Sequence, residues 1–394
     1  MTTSVETPDG AGAETEPRRT PLHDEHVALG ATLTGFGGWL MPLRYASDLA
    51  EHRAVRSAAG LFDLSHMGEI RLRGPEAGRA LDVALVGWLS QVQPGRARYS
   101  MITNEFGEVI DDLVVYRLAD DDFMVVANAS NAPVVARELV SRAAPFDVEV
   151  TDESEATALI AVQGPLAEQI VTGLAAGDAE AVRALRYYAS VPATVAGVEA
   201  LVARTGYTGE DGFELFVPAD HAVALWRSLL GTGAEDGLVP AGLAARDSLR
   251  LEAGMPLYGH ELDLSTTPYD AGLGRVVRLD KTTDDGAVLE FVGRASLSSR
   301  RGSEPSRVLV GLSAAGRRAP REGDHVVVRG HSPQIVVGKV TSGAPSPTLG
   351  HAIAMAYVTP EVSAVGSELA VDVRGREEPV EVVDLPFYRR PDKP

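Results

Sequence analysis

Residues 109–127 alternate between apolar and polar positions in a way that predicts a β-hairpin. A mostly β-branched strand is followed by a polar turn at residues 119–122 and by an apolar return strand. Side chains on a strand alternate between two faces. Asp112 therefore shares its face with apolar neighbours such as Ile110, whereas Asp111 lies on the opposite face. The pattern predicts one carboxylate in an otherwise apolar row.

This pattern makes Asp112 a candidate for a functional carboxylate. A carboxylate among aliphatic side chains is costly unless it is hydrogen-bonded, paired or used, and burial raises its pKa in a way that suits acid–base or orienting work. The alternative is structural, with Asp112 capping a nearby backbone turn. If the turn is centred on Asp120 and Asp121, Asn128 on the return strand lies diagonally beside Asp112.

The rest of the first two thirds mixes helix and strand patterns, which is typical of an α+β fold. Ser47 can cap a helix over residues 48–56. Residues 73–77 and 163–167 each place Gly-Pro after an apolar strand and before a helix. They hint at two related β-turn-α units, although the match is too short to prove a repeat.

Glu214 interrupts an apolar strand over residues 213–217 and shares a face with Phe216. One interpretation is a solvent-facing glutamate. The other is a carboxylate that accepts two hydrogen bonds from a pair of ligand N–H groups.

A helix over residues 242–254 carries Arg246 and Arg250 on one face, and Asp247 can pair with Arg250. A surface ladder of ion pairs would contribute little to stability. Alternatively, one guanidinium is fixed in place and clamps a carboxylate.

The sequence pattern changes from about residue 307, where Gly and Pro residues separate six short apolar strands. This is typical of a small all-β barrel or sandwich. We divide the chain into a disordered tail at residues 1–20, an α/β region of two lobes at residues 21–284, and a C-terminal β-barrel domain at residues 305–389.

Composition narrows the possible functions. The 394 residues carry a formal charge of −19, which opposes binding to nucleic acid or to an anionic membrane. The absence of cysteine excludes thiolate nucleophiles and thiolate metal sites, and the nine histidines show no HExxH spacing, so we expect no metal. No apolar segment follows the Arg18-Arg19 pair or is long enough to span a membrane, so we predict a cytoplasmic protein.

Six stretches, taken in order, resemble the T-protein family of the glycine cleavage system, the folate-dependent aminomethyltransferases. Any one of them is weak evidence, but the six in order are strong evidence. They are residues 36–42 (FGGWLMP), 62–67 (FDLSHM), 110–113 (IDDL), 204–210 (RTGYTGE), 245–254 (ARDSLRLEAG) and 341–350 (TSGAPSPTLG).

The resemblance implies a multi-lobed α+β fold around a folate pocket, with the barrel as one lobe. It also implies transfer of the methylene carbon of an aminomethyl-dihydrolipoyl H-protein to tetrahydrofolate. By the same carry-over, Asp112 is the catalytic carboxylate. The residues implied to bind folate are Met67, Tyr99, Asn128, Tyr207, Glu214, Arg246 and Met255.

Arg275 departs from the family pattern, because many relatives carry Trp there; an aromatic wall is then missing, or an Arg plane replaces it. The rival functions are a folate-dependent demethylase on the same scaffold, a noncatalytic folate protein of the Fe–S maintenance type, and an interaction module. The Fe–S type carries a cysteine motif that is absent here.

Overall fold

The computed structural model describes residues 16–316 and 318–391. Within them the chain forms the following strands: β1 (Arg18–Arg19), β2 (Thr32–Phe36), β3 (Trp39–Arg44), β4 (Ala59–Asp63), β5 (Gly68–Arg73), β6 (Arg96–Thr103), β7 (Val109–Ala119), β8 (Asp122–Ala127), β9 (Glu149–Asp152), β10 (Thr157–Gln163), β11 (Ser190–Val195), β12 (Val198–Ala203), β13 (Gly212–Pro218), β14 (Leu238–Pro240), β15 (Val308–Ala314), β16 (His325–Val327), β17 (Val336–Pro345), β18 (Ala352–Val358), β19 (Glu368–Asp372) and β20 (Glu377–Val383).

The α-helices of the same residues are α1 (His23–Ala28), α2 (Asp48–Ser57), α3 (Ala77–Ala84), α4 (Ala132–Ala143), α5 (Ala167–Leu174), α6 (Ala179–Arg183), α7 (Ala222–Gly233), α8 (Leu243–Glu252) and α9 (Arg294–Arg300). The Ser47 hydroxyl accepts a hydrogen bond from the Ala50 backbone N–H at 3.4 Å, so α2 begins with the predicted cap. None of these helices is long and apolar enough to cross a bilayer.

Two sheets with matching connectivity form the first two thirds of the chain. The first has the strand order β6-β7-β8-β5-β9 and the second has the order β11-β12-β13-β10-β4-β14. Each lobe follows the plan of one strand, helix, three strands, helix, one strand; the second lobe adds α6 and inserts β4 beside β10. The two Gly-Pro segments thus begin equivalent units of a duplicated fold.

Gly74 and Gly164 hold equivalent turns of the two lobes, with φ of 145° and 136°. A Cβ at either position would lie 2.5 Å from a backbone oxygen, that of Asp147 or that of Ala58. Only glycine fits this combination of positive φ and close backbone approach.

The helices cover the outer face of each sheet, and the inner faces pack against each other. Leu81 of α3 and Leu139 of α4 join the core of the first lobe, and Trp226 of α7 joins that of the second. A third core, which includes Phe62, Met124 and Phe216, fills the layer between the sheets. The functional cavity lies in that layer.

The C-terminal strands close into a six-stranded barrel of order β15-β18-β17-β16-β19-β20, which confirms the predicted barrel. Arg250 of α8 joins it to the lobes, donating to Glu261 Oε2 and to Ser342 Oγ at 2.8 Å each. Arg250 also pairs with Asp247, as predicted. Strand β17 continues through Pro345, so the first half of the 341–350 segment is a strand of the barrel.

The N-terminal segment contributes a small sheet of order β1-β3-β2. Strands β2 and β3 meet at Gly37 and Gly38, whose positive φ values suit a two-residue hairpin turn. Of the tail predicted for residues 1–20, residues 1–15 lie outside the described residues. Arg18 and Arg19 pair with β3 and Thr20 is buried, so the predicted boundary at residue 20 is too late.

Candidate active site

A cavity of about 360 Å³ opens between the inner faces of the two sheets, beside α8. The eight predicted site residues come from both lobes, from α8 and from the segment after it, and the fold brings all of them to the cavity wall. They are Met67, Tyr99, Asp112, Asn128, Tyr207, Glu214, Arg246 and Met255.

Asp112 faces this cavity because β7 alternates as the sequence pattern predicts. Asp112 faces the inner layer together with Val114 and Tyr116. Leu113 and Val115, on the face of Asp111, belong to the core under α3 and α4. Asp111 is therefore the more deeply buried of the two carboxylates, with none of its surface exposed. The alternation along the strand gave no indication of that burial.

Asn128 lies opposite Asp112 and not diagonally beside it. Val114 pairs with Val126, and a bulge between Arg117 and Ala119 shifts the register of the hairpin by one residue. Continuing the pairing from Val114 sets residue 128 across from residue 112. The Asn128 side chain consequently reaches the carboxylate directly.

Both oxygens of the Asp112 carboxylate are held. Tyr99 Oη donates to Oδ2 at 3.1 Å, and Asn128 Nδ2 donates to Oδ1 at 2.9 Å. Burial raises the pKa of Asp112 above its ordinary value, while the hydrogen bonds from Tyr99 and Asn128 oppose that rise. Such a carboxylate is oriented and can hold a proton near neutral pH, which suits an acid–base group.

Glu214 is a second carboxylate on the cavity wall, and it comes from the second lobe. On β13 it shares a face with Phe216, as predicted, and its backbone pairs with Ala161 and Ala203. Thr205 Oγ1 and Tyr116 Oη, the latter at 3.3 Å, donate to Glu214 Oε2. No donor within the described residues hydrogen-bonds Oε1, so that oxygen is available to a ligand N–H.

Arg246 is a cation on the same wall with a different role from Arg250. Its guanidinium lies 4.7 Å from the centre of the Tyr207 ring, and Tyr207 Oη donates to the Pro256 carbonyl. Across the part of the chain that the structure describes, no carboxylate lies within 4.0 Å of Arg246. Its N–H groups are thus available to an oxygen of a ligand.

The cavity also has walls that the sequence did not single out as site residues. Tyr116 could have been added, because it lies on the face of Asp112 four residues further along β7. The others reach the cavity only through tertiary packing, and they include Phe36, Tyr188, Thr205 and Leu273. Leu273 lines the cavity, whereas Arg275 is exposed and does not, so Arg275 supplies no replacement for an aromatic wall.

His66 also lines the cavity and is almost completely buried, with 2% of its surface exposed. Its ring meets the Phe36 ring edge-on at 5.6 Å, and within the described chain its Nδ1 has no hydrogen-bond partner. Burial lowers the pKa of His66 to about 4, so the ring is neutral at physiological pH.

Paired lobes, a closed barrel and an acid-bearing cavity between the sheets define the class of protein that the GCVT models describe. The GCVT N-terminal domain model matches residues 22–281, and the glycine cleavage T-protein C-terminal barrel domain model matches residues 307–389. Together they account for most of the chain.

Similar proteins match this sequence over almost its whole length. An aminomethyltransferase of Streptomyces coelicolor is 59% identical over 382 residues, covering 96% of this chain and 99% of its own. One from Moorella thermoacetica is 45% identical over 376 residues, covering 95% and 99%. The crystal structure of glycine cleavage system aminomethyltransferase T from Bartonella henselae matches with a TM-score of 0.85 at 36% identity, covering 95% of this chain and 98% of that one. The chain belongs to the glycine cleavage T-protein family of aminomethyltransferases, which confirms the family and the enzyme class predicted from the sequence.

Proposed function

We propose that this chain transfers the methylene carbon of an aminomethyl-dihydrolipoyl H-protein to tetrahydrofolate. The products are 5,10-methylenetetrahydrofolate, ammonia and the dihydrolipoyl arm. The observation that carries the proposal is the Asp112 carboxylate, held on both oxygens and facing a cavity that also presents Glu214 and Arg246. The assignment of roles to the eight site residues is part of this proposal.

The cavity suits a reduced pterin because its polar groups complement one. Glu214 Oε1, which has no donor in the described chain, can accept from the paired N–H groups of the pterin's guanidine-like edge. Arg246 can donate to a folate oxygen. Met67 and Met255 supply apolar wall against which a flat ring can pack.

Tetrahydrofolate supplies the two nucleophilic nitrogens, N5 and N10, that capture the carbon. In this chain, Asp112 orients the pterin and exchanges a proton at its carboxylate as ammonia leaves. The reaction balances without an oxidant: of the two N–H protons replaced, one leaves with ammonia and one ends on the thiol. Tyr99 and Asn128 keep the Asp112 carboxylate in place during that exchange.

The thiol has to come from another molecule, because the chain contains no cysteine. A dihydrolipoyl arm on a carrier meets that need, which supports the lipoylated H-protein as the partner. We keep the cytoplasmic location, the absence of a bound metal and the absence of nucleic-acid or membrane partners as predictions.

The decisive experiment measures ammonia released from aminomethyl-loaded H-protein by the purified chain, with and without tetrahydrofolate. We expect release to rise strongly with tetrahydrofolate and not with fully oxidised folic acid, which lacks the N5–H group. Equal release under the three conditions would overturn the proposal. A parallel reaction uses an N-methyl amine as the one-carbon donor in place of the loaded carrier. Turnover of the N-methyl amine without turnover of the loaded carrier would favour the folate-dependent demethylase.

A further inference from the structure

Asp111 is a buried carboxylate that lies outside the cavity. It points to the opposite side of β7 from Asp112, and none of its surface is exposed. Within the described residues no Arg, Lys or His lies within 4.0 Å of it, so amide donors alone compensate its charge. Such burial is expensive for a carboxylate, and three hydrogen bonds rarely make it favourable for stability alone.

Its three hydrogen bonds converge on two asparagines. Asp111 Oδ2 accepts from the Asn128 backbone N–H at 2.9 Å. Its Oδ1 accepts from Asn128 Nδ2 at 2.9 Å and from Asn131 Nδ2 at 2.8 Å. The Asp111 carboxylate therefore accepts hydrogen bonds from both the backbone and the side chain of Asn128.

The Asn128 side-chain nitrogen also serves the cavity. The same Nδ2 donates to Asp112 Oδ1 at 2.9 Å and approaches the Asp112 carbonyl oxygen at 3.2 Å. An amide has one donating end, and Asp111 determines which end faces the two carboxylates. Hydrogen bonds from the Asn128 backbone and from Asn131 would be enough for Asp111 to anchor the start of α4. The additional bond from Asn128 Nδ2, which also donates to Asp112, indicates that Asp111 acts on the cavity as well.

We propose that Asp111 is a positioning residue, which holds the Asn128 amide with its NH₂ group toward Asp112 and thereby fixes the orientation of the Asp112 carboxylate. The inference rests on the proposed function of Asp112. It assigns the two adjacent aspartates of the IDDL segment to different tasks, one in the cavity and one behind it.

The charges of the two carboxylates act on Asp112 in the opposite direction to the hydrogen bond from Asn128. Burial raises the pKa of Asp111, and the neighbouring charge of Asp112 raises it further. That repulsion is mutual, so a charge on Asp111 also raises the proton affinity of Asp112. Glu261 also raises the pKa of Asp112. The charges of the pair in turn raise the pKa values of the surrounding tyrosines, which stay neutral: Tyr99, Tyr188, Tyr207 and Tyr258.

The test is the variant Asp111→Asn, which keeps the shape of the side chain and removes its charge. We expect kcat to fall by about 10- to 100-fold while the KM for tetrahydrofolate changes much less, because positioning acts on the reacting geometry. Without Asp111 the Asn128 amide is no longer held, so Asp112 loses a donor that lowers its pKa, and the acid limb of the pH–rate profile should move to higher pH. Loss of the Asp111 charge alone would move it to lower pH. Asp82→Asn is the matched control: Asp82 is also buried in the first lobe, where it accepts from the backbone N–H groups of Leu89 and Ser90. It should lower stability and leave the acid limb unmoved.

A second readout needs no substrate. Carbon-13 NMR of carboxyl-labelled aspartates in the free protein follows the resonance that disappears in Asp112→Asn. We expect this resonance to titrate at higher pH in Asp111→Asn than in the parent protein, because Asp112 loses the Asn128 donor. If Asp111→Asn does not fold, Asn131→Ala takes its place, because it removes one of the donors that fix Asp111, loosens the hold of Asp111 on Asn128, and shifts the Asp112 titration in the same direction by less.

In a folded variant, an Asp112 titration and an acid limb that stay in place or move to lower pH would overturn the positioning role. Failure of the proposed function looks different, because the parent protein itself would then release no tetrahydrofolate-dependent ammonia. The NMR titration would still report whether Asp111 acts on Asp112.

Discussion

Tyr99 and Asp112 lie on neighbouring strands, and Tyr99 Oη donates a hydrogen bond to Asp112 Oδ2 at 3.1 Å. Tyr99 pairs directly with Val114, so its long side chain reaches diagonally by two residues on the same face of the sheet. With Asn128 on the other oxygen, the carboxylate has a donor on each side. The site is thus organised before any substrate arrives.

Replacing Asp112 by Asn tests whether the carboxylate itself does chemistry. We expect the fold and much of the tetrahydrofolate affinity to remain, since the amide has nearly the same shape. Turnover should fall by about 10²- to 10⁴-fold, the usual contribution of a positioned acid or base. Ammonia release and the rise in melting temperature with tetrahydrofolate measure the two effects separately. Asp121→Asn, in the exposed turn of the same hairpin, is the control, and full activity in Asp112→Asn would remove the catalytic assignment.

The variant Tyr99→Phe removes one donor to Asp112 and keeps the ring. A hydrogen bond to a carboxylate favours its charged form and lowers its pKa, so the loss of this bond raises the pKa of Asp112. The acid limb of the pH–rate profile should move to higher pH by about one unit, in the same direction as the shift expected for Asp111→Asn. A profile that keeps its acid limb in place would show that this bond does not tune the carboxylate.

The sequence alone predicted the features that depend on local periodicity. The two-residue period of a strand placed Asp112 and Glu214 on their correct faces, and the punctuated C-terminal strands indicated the barrel. The motif order of the family then indicated the eight residues that line the cavity. The strand faces are encoded within single short segments, whereas the family resemblance lies in the order of six segments along the chain.

Features that depend on long-range packing could not be predicted. Asp111 is buried because two helices distant in sequence cover its face, and the alternation of β7 says nothing of them. Asn128 faces Asp112 because of a bulge beside Leu118, which shifts the hairpin by one residue. The insertion of β4 next to β10, and the exposure of Arg275, likewise follow only from the assembled lobes.

Glu214→Gln tests recognition separately from chemistry. The amide keeps one oxygen but loses the charge, and it presents an NH₂ group where a pterin N–H would be received. Charge-assisted hydrogen bonds contribute about 1.5–3 kcal/mol, so we expect affinity for tetrahydrofolate to fall by roughly 10- to 100-fold. Calorimetric titration measures this affinity without the carrier. Glu199→Gln, exposed on the adjacent strand β12, should bind as the parent does, and unchanged binding by Glu214→Gln would exclude Glu214 from the pterin site.

Glu252 provides a prediction about stability against pH. The side chain is completely buried between α2, α8 and the barrel. Its Oε1 accepts from Ser346 Oγ at 2.5 Å, and its Oε2 accepts from Arg56 Nη2 and Thr348 Oγ1 at 2.7 Å each. Burial alone would raise its pKa, but the hydrogen bonds from His52, Ser346 and Arg56 lower it from 4.5 to about 2.

Because the folded-state pKa of Glu252 lies below its unfolded value, the unfolded chain binds the proton more tightly. The carboxylate therefore stabilises the fold above about pH 4.5, and this stabilisation is lost as the pH falls toward 2. At about 1.4 kcal/mol for each pKa unit, the effect is on the order of 3 kcal/mol. The difference in unfolding free energy between the parent and Glu252→Gln should be largest near neutral pH and should shrink between pH 4.5 and 3 in urea titrations. The control is Glu368→Gln, exposed on β19, whose unfolding free energy should match that of the parent within about 0.5 kcal/mol at every pH. If the difference between Glu252→Gln and the parent does not vary with pH, the charge of Glu252 does not hold the barrel to the lobes.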